Sequence, residues 1–244
     1  PICLGLEYHT TNEFRRGGNK FDKEPFETDI TEQTKHVINS GGLTYDLFWK
    51  EYKHKLSFYT SAQHVDRNSY YGAQQDPNAY GKTKDLTFVG GGMYTGNFEK
   101  VLFSPAVFTM GLEYQHNNMH DVMAGYNRDL KQEVRIASAF VQNEWKMKRF
   151  TLLAGFRLDE HNLIDHPIFS PRVNLLYKPS DAFQGRLTWS TGFRAPQAYD
   201  EDLHITAVGG EGVLIHLAEG LKPEKSNSFS GSVDWSATMG HFQI

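Results

Sequence analysis

Phe183-Gln184-Gly185-Arg186-Leu187-Thr188-Trp189-Ser190-Thr191-Gly192-Phe193-Arg194 is the stretch that decides the fold. Its odd positions carry Phe183, Leu187, Trp189 and Phe193, with Gly185 and Thr191 between them. Its even positions carry Gln184, Arg186, Thr188, Ser190 and Arg194, with Gly192. Successive side chains of a strand point to opposite faces, so this is a β-strand with one apolar and one polar side. The same period recurs along the chain. Phe229, Val233 and Trp235 alternate with Ser228, Ser230, Ser232 and Asp234, and Leu4, Leu6 and Tyr8 with Gly5, Glu7 and His9. Phe108, Met110, Leu112 and Tyr114 oppose Thr109, Gly111, Glu113 and Gln115. Leu43, Tyr45, Leu47 and Trp49 oppose Thr44, Asp46 and the apolar Phe48. Phe150, Leu152, Ala154, Phe156 and Leu158 form a further set. The pattern predicts about ten strands of roughly ten residues each, the length that crosses a bilayer at a tilt.

The connections between these strands differ systematically in length. Short links are expected near residues 50–53, 98–104, 146–149, 179–181 and 238–240, and long ones near 15–34, 66–82, 117–130, 160–167 and 195–222. Short and long alternate, as in an up-and-down barrel with tight periplasmic turns and long outer loops. A soluble β-sandwich shares the apolar–polar alternation, but its strands are shorter and its loops need not segregate by length. Trp49, Tyr52, Trp145, Phe150, Tyr177 and Phe183 fall near the short turns, where an interfacial aromatic girdle belongs. The long segments, such as Ser69-Tyr70-Tyr71-Gly72 and the stretch to Tyr80-Gly81, are polar, aromatic and rich in turn formers, and read as loops. A short helix is expected over residues 196–203, opening on Pro196.

Composition supports this class. Aromatics make up 14% of the 244 residues, with 17 Phe and 12 Tyr against 4 Trp, and there are 22 Gly. A net charge of −4 gives no basic face for nucleic acid, which is not an expected partner. Cys3 is the single cysteine, which excludes an internal disulfide or a thiolate metal cluster. No run approaches the roughly 20 apolar residues of a membrane helix. The opening at Pro1 within a strand and the stop at Ile244 read as ends of a piece of a longer polypeptide.

Gly192-Phe193-Arg194-Ala195-Pro196, followed by Asp200-Glu201-Asp202-Leu203 and then Leu221-Lys222-Pro223-Glu224-Lys225-Ser226, resembles the C-terminal barrel region of TonB-dependent receptors. In that family a Phe-Arg-Ala-Pro strand end leads into a long outer loop, and a Leu-Lys-Pro-Glu segment starts the next strand. Ser170-Pro171-Arg172-Val173-Asn174-Leu175 and Tyr177-Lys178-Pro179 resemble the preceding strand and its turn. Phe14-Arg15-Arg16-Gly17-Gly18-Asn19, Asp29-Ile30-Thr31-Glu32-Gln33 and Arg67-Asn68-Ser69-Tyr70-Tyr71-Gly72 resemble the Bacteroidetes branch. The resemblance implies an all-β membrane barrel of 22 strands with an N-terminal plug. Residues 1–244 would supply a part of that barrel domain, with plug and remaining strands elsewhere.

The resemblance also implies a function: energy-dependent uptake of a scarce nutrient across the bacterial outer membrane. The expected partners are outer-membrane lipid, the TonB–ExbB–ExbD complex acting through the plug, and a surface lipoprotein. No cofactor is required, whereas haem, a ferric siderophore or cobalamin is the transported ligand. His204 and His216 lie between the two family boxes, where haem receptors carry a histidine, and neutral imidazole suits haem iron. Tyr70, Tyr71 and Tyr80 are the aromatic candidates for a siderophore or cobalamin. The polar faces bearing Arg157, Arg172, Asn174, Arg186, Ser190, Arg194, Ser228 and Asp234 suit a hydrated lumen.

Enzymatic readings are weaker. Asp159-Glu160-His161 and Asp165-His166 could form Asp–His pairs of the kind an omptin-like outer-membrane protease uses, but they lack an evident opposing carboxylate. No nucleophile elbow, zinc-protease helix or phosphate loop occurs. A small barrel of another class, protease or adhesin, is the alternative. The acidic Asp200-Glu201-Asp202 is chemically suited to calcium, but a solvated acidic helix start is the preferred reading.

Overall fold

The computed structural model describes residues 1–196, 220–236, 238–239 and 242–243. Ten strands form one antiparallel sheet in chain order: β1 (Ile2–Gly18), β2 (Ile30–Trp49), β3 (His54–Ala73), β4 (Tyr80–Val101), β5 (Ser104–Met123), β6 (Arg128–Lys146), β7 (Phe150–His161), β8 (Ile168–Ser180), β9 (Phe183–Arg194) and β10 (Glu224–Trp235). Two two-residue strands, β11 (Thr238–Met239) and β12 (Phe242–Gln243), pair with each other. The expected alternation of short and long links is present. Residues 50–53, 102–103, 147–149 and 181–182 close one end of the sheet, and residues 19–29, 74–79, 124–127 and 162–167 lie at the other. The turn after β2 holds Lys50, Glu51 and Tyr52 all at positive φ (50°, 55° and 66°), a conformation that costs side chains other than glycine.

The register shows why the alternation is so regular. Leu6 pairs with Leu43, Leu43 with Thr60, and Tyr45 with Phe58. The same face continues through Met110 and Val141, Val141 and Phe156, Val173 and Trp189, and Trp189 and Phe229. Directly opposed residues share a face, so one side of all ten strands is apolar. That side is uncovered: Leu6 is 83% exposed and Phe229 78%. No second layer packs on it among the described residues. A soluble protein would not leave so large an apolar face to water, whereas hydrocarbon accepts it at no cost.

The strand lengths correct one expectation. β2 through β6 run 19 to 22 residues, about twice the predicted span. Twenty residues at ~3.4 Å and a ~40° tilt climb about 50 Å, twice the ~25 Å apolar band. The lower halves cross the membrane and the upper halves project beyond it. Ser69-Tyr70-Tyr71-Gly72, read from the sequence as loop, is therefore strand, and so are most of the residues assigned to the first three long links. Lipid contact ends where the apolar face ends, but the hydrogen-bonded ladder does not. β7 to β10, of 12 or 13 residues, match the bilayer alone. The helix expected over 196–203 lies outside the described residues beyond Pro196. Single 3-10 turns occur at Pro25–Glu27 and Ala124–Tyr126.

Candidate functional site

Two polar constructions stand on the inward face of this wall. In the lower one, Tyr59 of β3 donates its hydroxyl to Glu113 Oε2 of β5 at 2.5 Å. Arg157 of β7 donates to Glu113 Oε1 at 2.8 Å and to Asp159 Oδ1 at 2.7 Å. Ser138 of β6 donates to Asp159 at 2.6 Å and accepts from Arg157 at 2.6 Å. Each long contact skips a strand, a separation of about 10 Å. Small residues make the skip possible: Tyr59 and Glu113 both pair with Gly91 across β4, and Glu113 pairs with Ser138 across β6. A Cβ at Gly91 would meet the Tyr59 hydroxyl at 2.6 Å and the Leu112 carbonyl at 2.8 Å. Further along, Arg172 donates to Gln142, Asn174 to Thr188 (2.6 Å) and Gln184 to Asp234 (2.8 Å). These inward polar groups bind one another as well as water, which stiffens the wall.

Beside this lattice, Glu7, His9, Ser40, Ser61, Gln63 and Thr87 line an open hollow of about 240 Å³ on the same face. Gly42, opposite Glu7, leaves room for that carboxylate; a Cβ there would meet Glu7 Oε1 at 2.8 Å.

The upper construction holds the projecting strands together. Asp121 of β5, with a side chain only 2% exposed, accepts from Thr83 Oγ1 at 2.5 Å and has Arg128 Nε 2.7 Å away. Arg67 of β3 donates to Thr83 at 3.1 Å and stands 3.7 Å from Asp121. Above it, Tyr71, Met123 and Tyr126 pack together, and Tyr126 donates to the Tyr71 carbonyl at 2.6 Å. Burial, with Asp76 nearby, pushes the Tyr126 hydroxyl above its ordinary pKa. At the β1–β2 connection, an Lys20 hydrogen bond holds the exposed Asp29 carboxyl below the ordinary range.

The candidates from the sequence fall in different places. Tyr70 is 1% exposed and donates to the Asp76 carbonyl at 2.8 Å; its ring packs edge-on against Tyr80 at 4.8 Å. Tyr70 and Tyr80 share the outward face, Tyr71 takes the inward one, and Tyr80 is 43% exposed. Asp159 is committed to Arg157 and Ser138, and His161 is buried at the end of β7. His204, His216 and Asp200-Glu201-Asp202 lie outside the described residues. The inward assignments of Arg157, Arg172, Asn174, Arg186, Ser190, Arg194, Ser228 and Asp234 hold. Tyr59, Glu113, Arg67, Asp121 and Arg128 were not singled out from the sequence as site residues; Glu113 is visible there only as a polar-face position and Arg67 only within a family-like motif.

The two family boxes, nearly thirty residues apart, meet in the sheet. Glu224 pairs with Arg194 and Lys225 with Phe193, so the box Phe193-Arg194-Ala195-Pro196 ends β9 where Leu221-Lys222-Pro223-Glu224 begins β10. The family model described as TonB dependent receptor-like, beta-barrel, matches residues 5–244. The chain belongs to the TonB-dependent receptor family. This places its apolar face against outer-membrane lipid. Comparison with curated proteins finds no match. Among solved structures, the siderophore receptor PirA from Pseudomonas aeruginosa is similar at a TM-score of 0.68 and 17% identity, over 88% of this chain and 39% of that one. PirA from Acinetobacter baumannii gives 0.66 and 17% over 84% and 38%. A ferric enterobactin receptor (PfeA) structure from Pseudomonas aeruginosa gives 0.60 and 15% over 80% and 33%. At such identities the likeness shows the fold. The chain spans well under half the length of these receptors, as a segment of TonB-dependent receptor wall.

Proposed function

We propose that the polypeptide carrying this wall is an outer-membrane transporter that takes up a ferric siderophore at the expense of the proton gradient. The observation that carries the reading is the family match over residues 5–244, joined to a fold shared with siderophore receptors. In this reading the remaining strands close the barrel, a plug fills it, and TonB with ExbB and ExbD displaces the plug. The loop ends on β1 to β8 form the outer mouth, and the polar inward face lines the path. Tyr80, His204 and His216 are the candidates for ligand contact. Tyr70 and Tyr71 support it from within the wall, because their rings are buried. A protease or adhesin built as a small barrel of another class does not fit membership of the receptor family.

Uptake of radiolabelled ferric siderophore by cells expressing the full-length protein tests the proposal, with haem and cobalamin as competitors. The expected result is uptake abolished by a protonophore and not competed by haem or cobalamin. Uptake unaffected by collapse of the proton gradient would overturn it.

A further inference from the structure

The turn-side rim of the wall differs in charge from the chain as a whole. The chain is net −4. At the rim, Lys53, Lys146 and Lys178 are paired with Glu99, Glu144 and Asp181 at 3.3 to 3.5 Å. These pairs neutralise most of the acids there, leaving Glu51. Lys50, Lys100, Lys148 and Arg149 are exposed and form no ion pair among the described residues. They sit on three successive turns or turn ends. Successive turns are two strands apart, so the surplus cations recur at about 10 Å along the rim.

A layer of outward aromatic rings lies immediately above these cations. Trp49 stacks on His54 at 5.4 Å and on Tyr94 at 6.0 Å, Phe103 on Trp145 at 5.6 Å, and Phe150 on Tyr177 at 4.7 Å. Such rings settle at headgroup depth. Cations one turn below them therefore stand level with lipid phosphates, and each lies within reach of a headgroup from the side.

We propose that this rim binds anionic phospholipid of the periplasmic leaflet, with Lys50, Lys100, Lys148 and Arg149 as the phosphate-facing groups. A periplasmic protein would meet the turns from below, but it would not use the ring layer beside them. The sideways pairing of rings and surplus cations fits a lipid with a negatively charged headgroup.

The test is tryptophan quenching of the full-length protein in vesicles containing either brominated phosphatidylglycerol or brominated phosphatidylcholine. Trp49 and Trp145 sit in the ring layer as reporters. The binding-constant ratio should favour phosphatidylglycerol by about fivefold, the effect of about one near-surface cation per lipid, and should fall toward one at high salt. The variant Lys50→Gln, Lys100→Gln, Lys148→Gln, Arg149→Gln should bring it to about one at low salt while keeping the heat-modifiable gel shift of a folded barrel. A wild-type ratio near one at low salt would overturn the proposal, as would a preference that survives high salt or survives in the folded variant.

Discussion

Replacing Asp121 by alanine takes a carboxylate from beside a buried guanidinium. Arg128, whose side chain is 7% exposed, stands 2.7 Å from Asp121, and Thr83 and Arg67 reach the same carboxylate at 2.5 and 3.7 Å. Removing one member of a buried pair costs about 3–5 kcal/mol, because the other charge stays desolvated. The loss falls on the projecting halves of β3 to β6, above the band that lipid holds. Local opening there should become roughly two to four decades more frequent. Native-state hydrogen exchange on the full-length protein in detergent reads this directly. Amides of residues 67–73, 80–85, 119–123 and 128–132 should lose protection, while those near Met110, Val141 and Phe156 keep theirs. Thr83→Val, which removes the hydrogen bonds to Asp121 and from Arg67 but leaves the charges paired, should cost only about 2 kcal/mol in the same amides. If Asp121→Ala and Thr83→Val produce the same small change, the cluster does not clamp the upper wall and the reasoning fails.

Three further outcomes follow from the geometry. Gly91→Ala should destabilise the barrel by about 1–3 kcal/mol in denaturant titrations, since its Cβ meets both the Tyr59 ring and the Leu112 carbonyl. Adding Tyr59→Ala should recover only part of that loss, because the Leu112 carbonyl cannot move aside; full recovery would contradict the backbone contact. Met110→Arg, on the apolar face, should cost about 2–4 kcal/mol in vesicle refolding, while Gln115→Arg on the inward face should stay within about 0.5 kcal/mol. Tyr126 should titrate above the ordinary tyrosine value, so its tether to Tyr71 is intact below that value and lost as pH rises through the raised one. Absorbance at the tyrosinate band, wild type minus Tyr126→Phe, should show a titration midpoint above about 10; a midpoint at or below the ordinary value would contradict the burial.

The lower half of every strand was legible in the sequence because lipid on one side and a wet lumen on the other impose a strict two-residue period. Leu187 and Arg186 have opposite environments, and their types say so. Above the bilayer that contrast vanishes. Lys84 faces outward and Thr83 inward, and both are polar, so the pattern fades although the hydrogen-bonded pairing continues to residue 70 on β3 and back from residue 80 on β4. The polar lattice was half legible for a related reason. Arg157 was recognisable as inward, but its partner Glu113 lies two strands away, and only the register with Gly91 and Ser138 between them shows that the two can meet. The clamp at Asp121 joins residues from four strands, and none of its members stands out from an ordinary polar stretch. Family resemblance supplied what pattern could not, by marking Phe193 and Lys225 as parts of two linked boxes before the sheet paired them.

The account rests most directly on which face of the wall meets lipid. Spin labels placed singly at positions 185 to 190 of β9, in the full-length protein reconstituted in bilayers, measure this by collision with oxygen and with a polar nickel reagent. The account predicts a two-residue period, with oxygen contact high at 185, 187 and 189 and the polar reagent high at 186, 188 and 190. A flat profile, or an opposite phase with the labels at 186 and 188 in lipid, would contradict the membrane-wall reading.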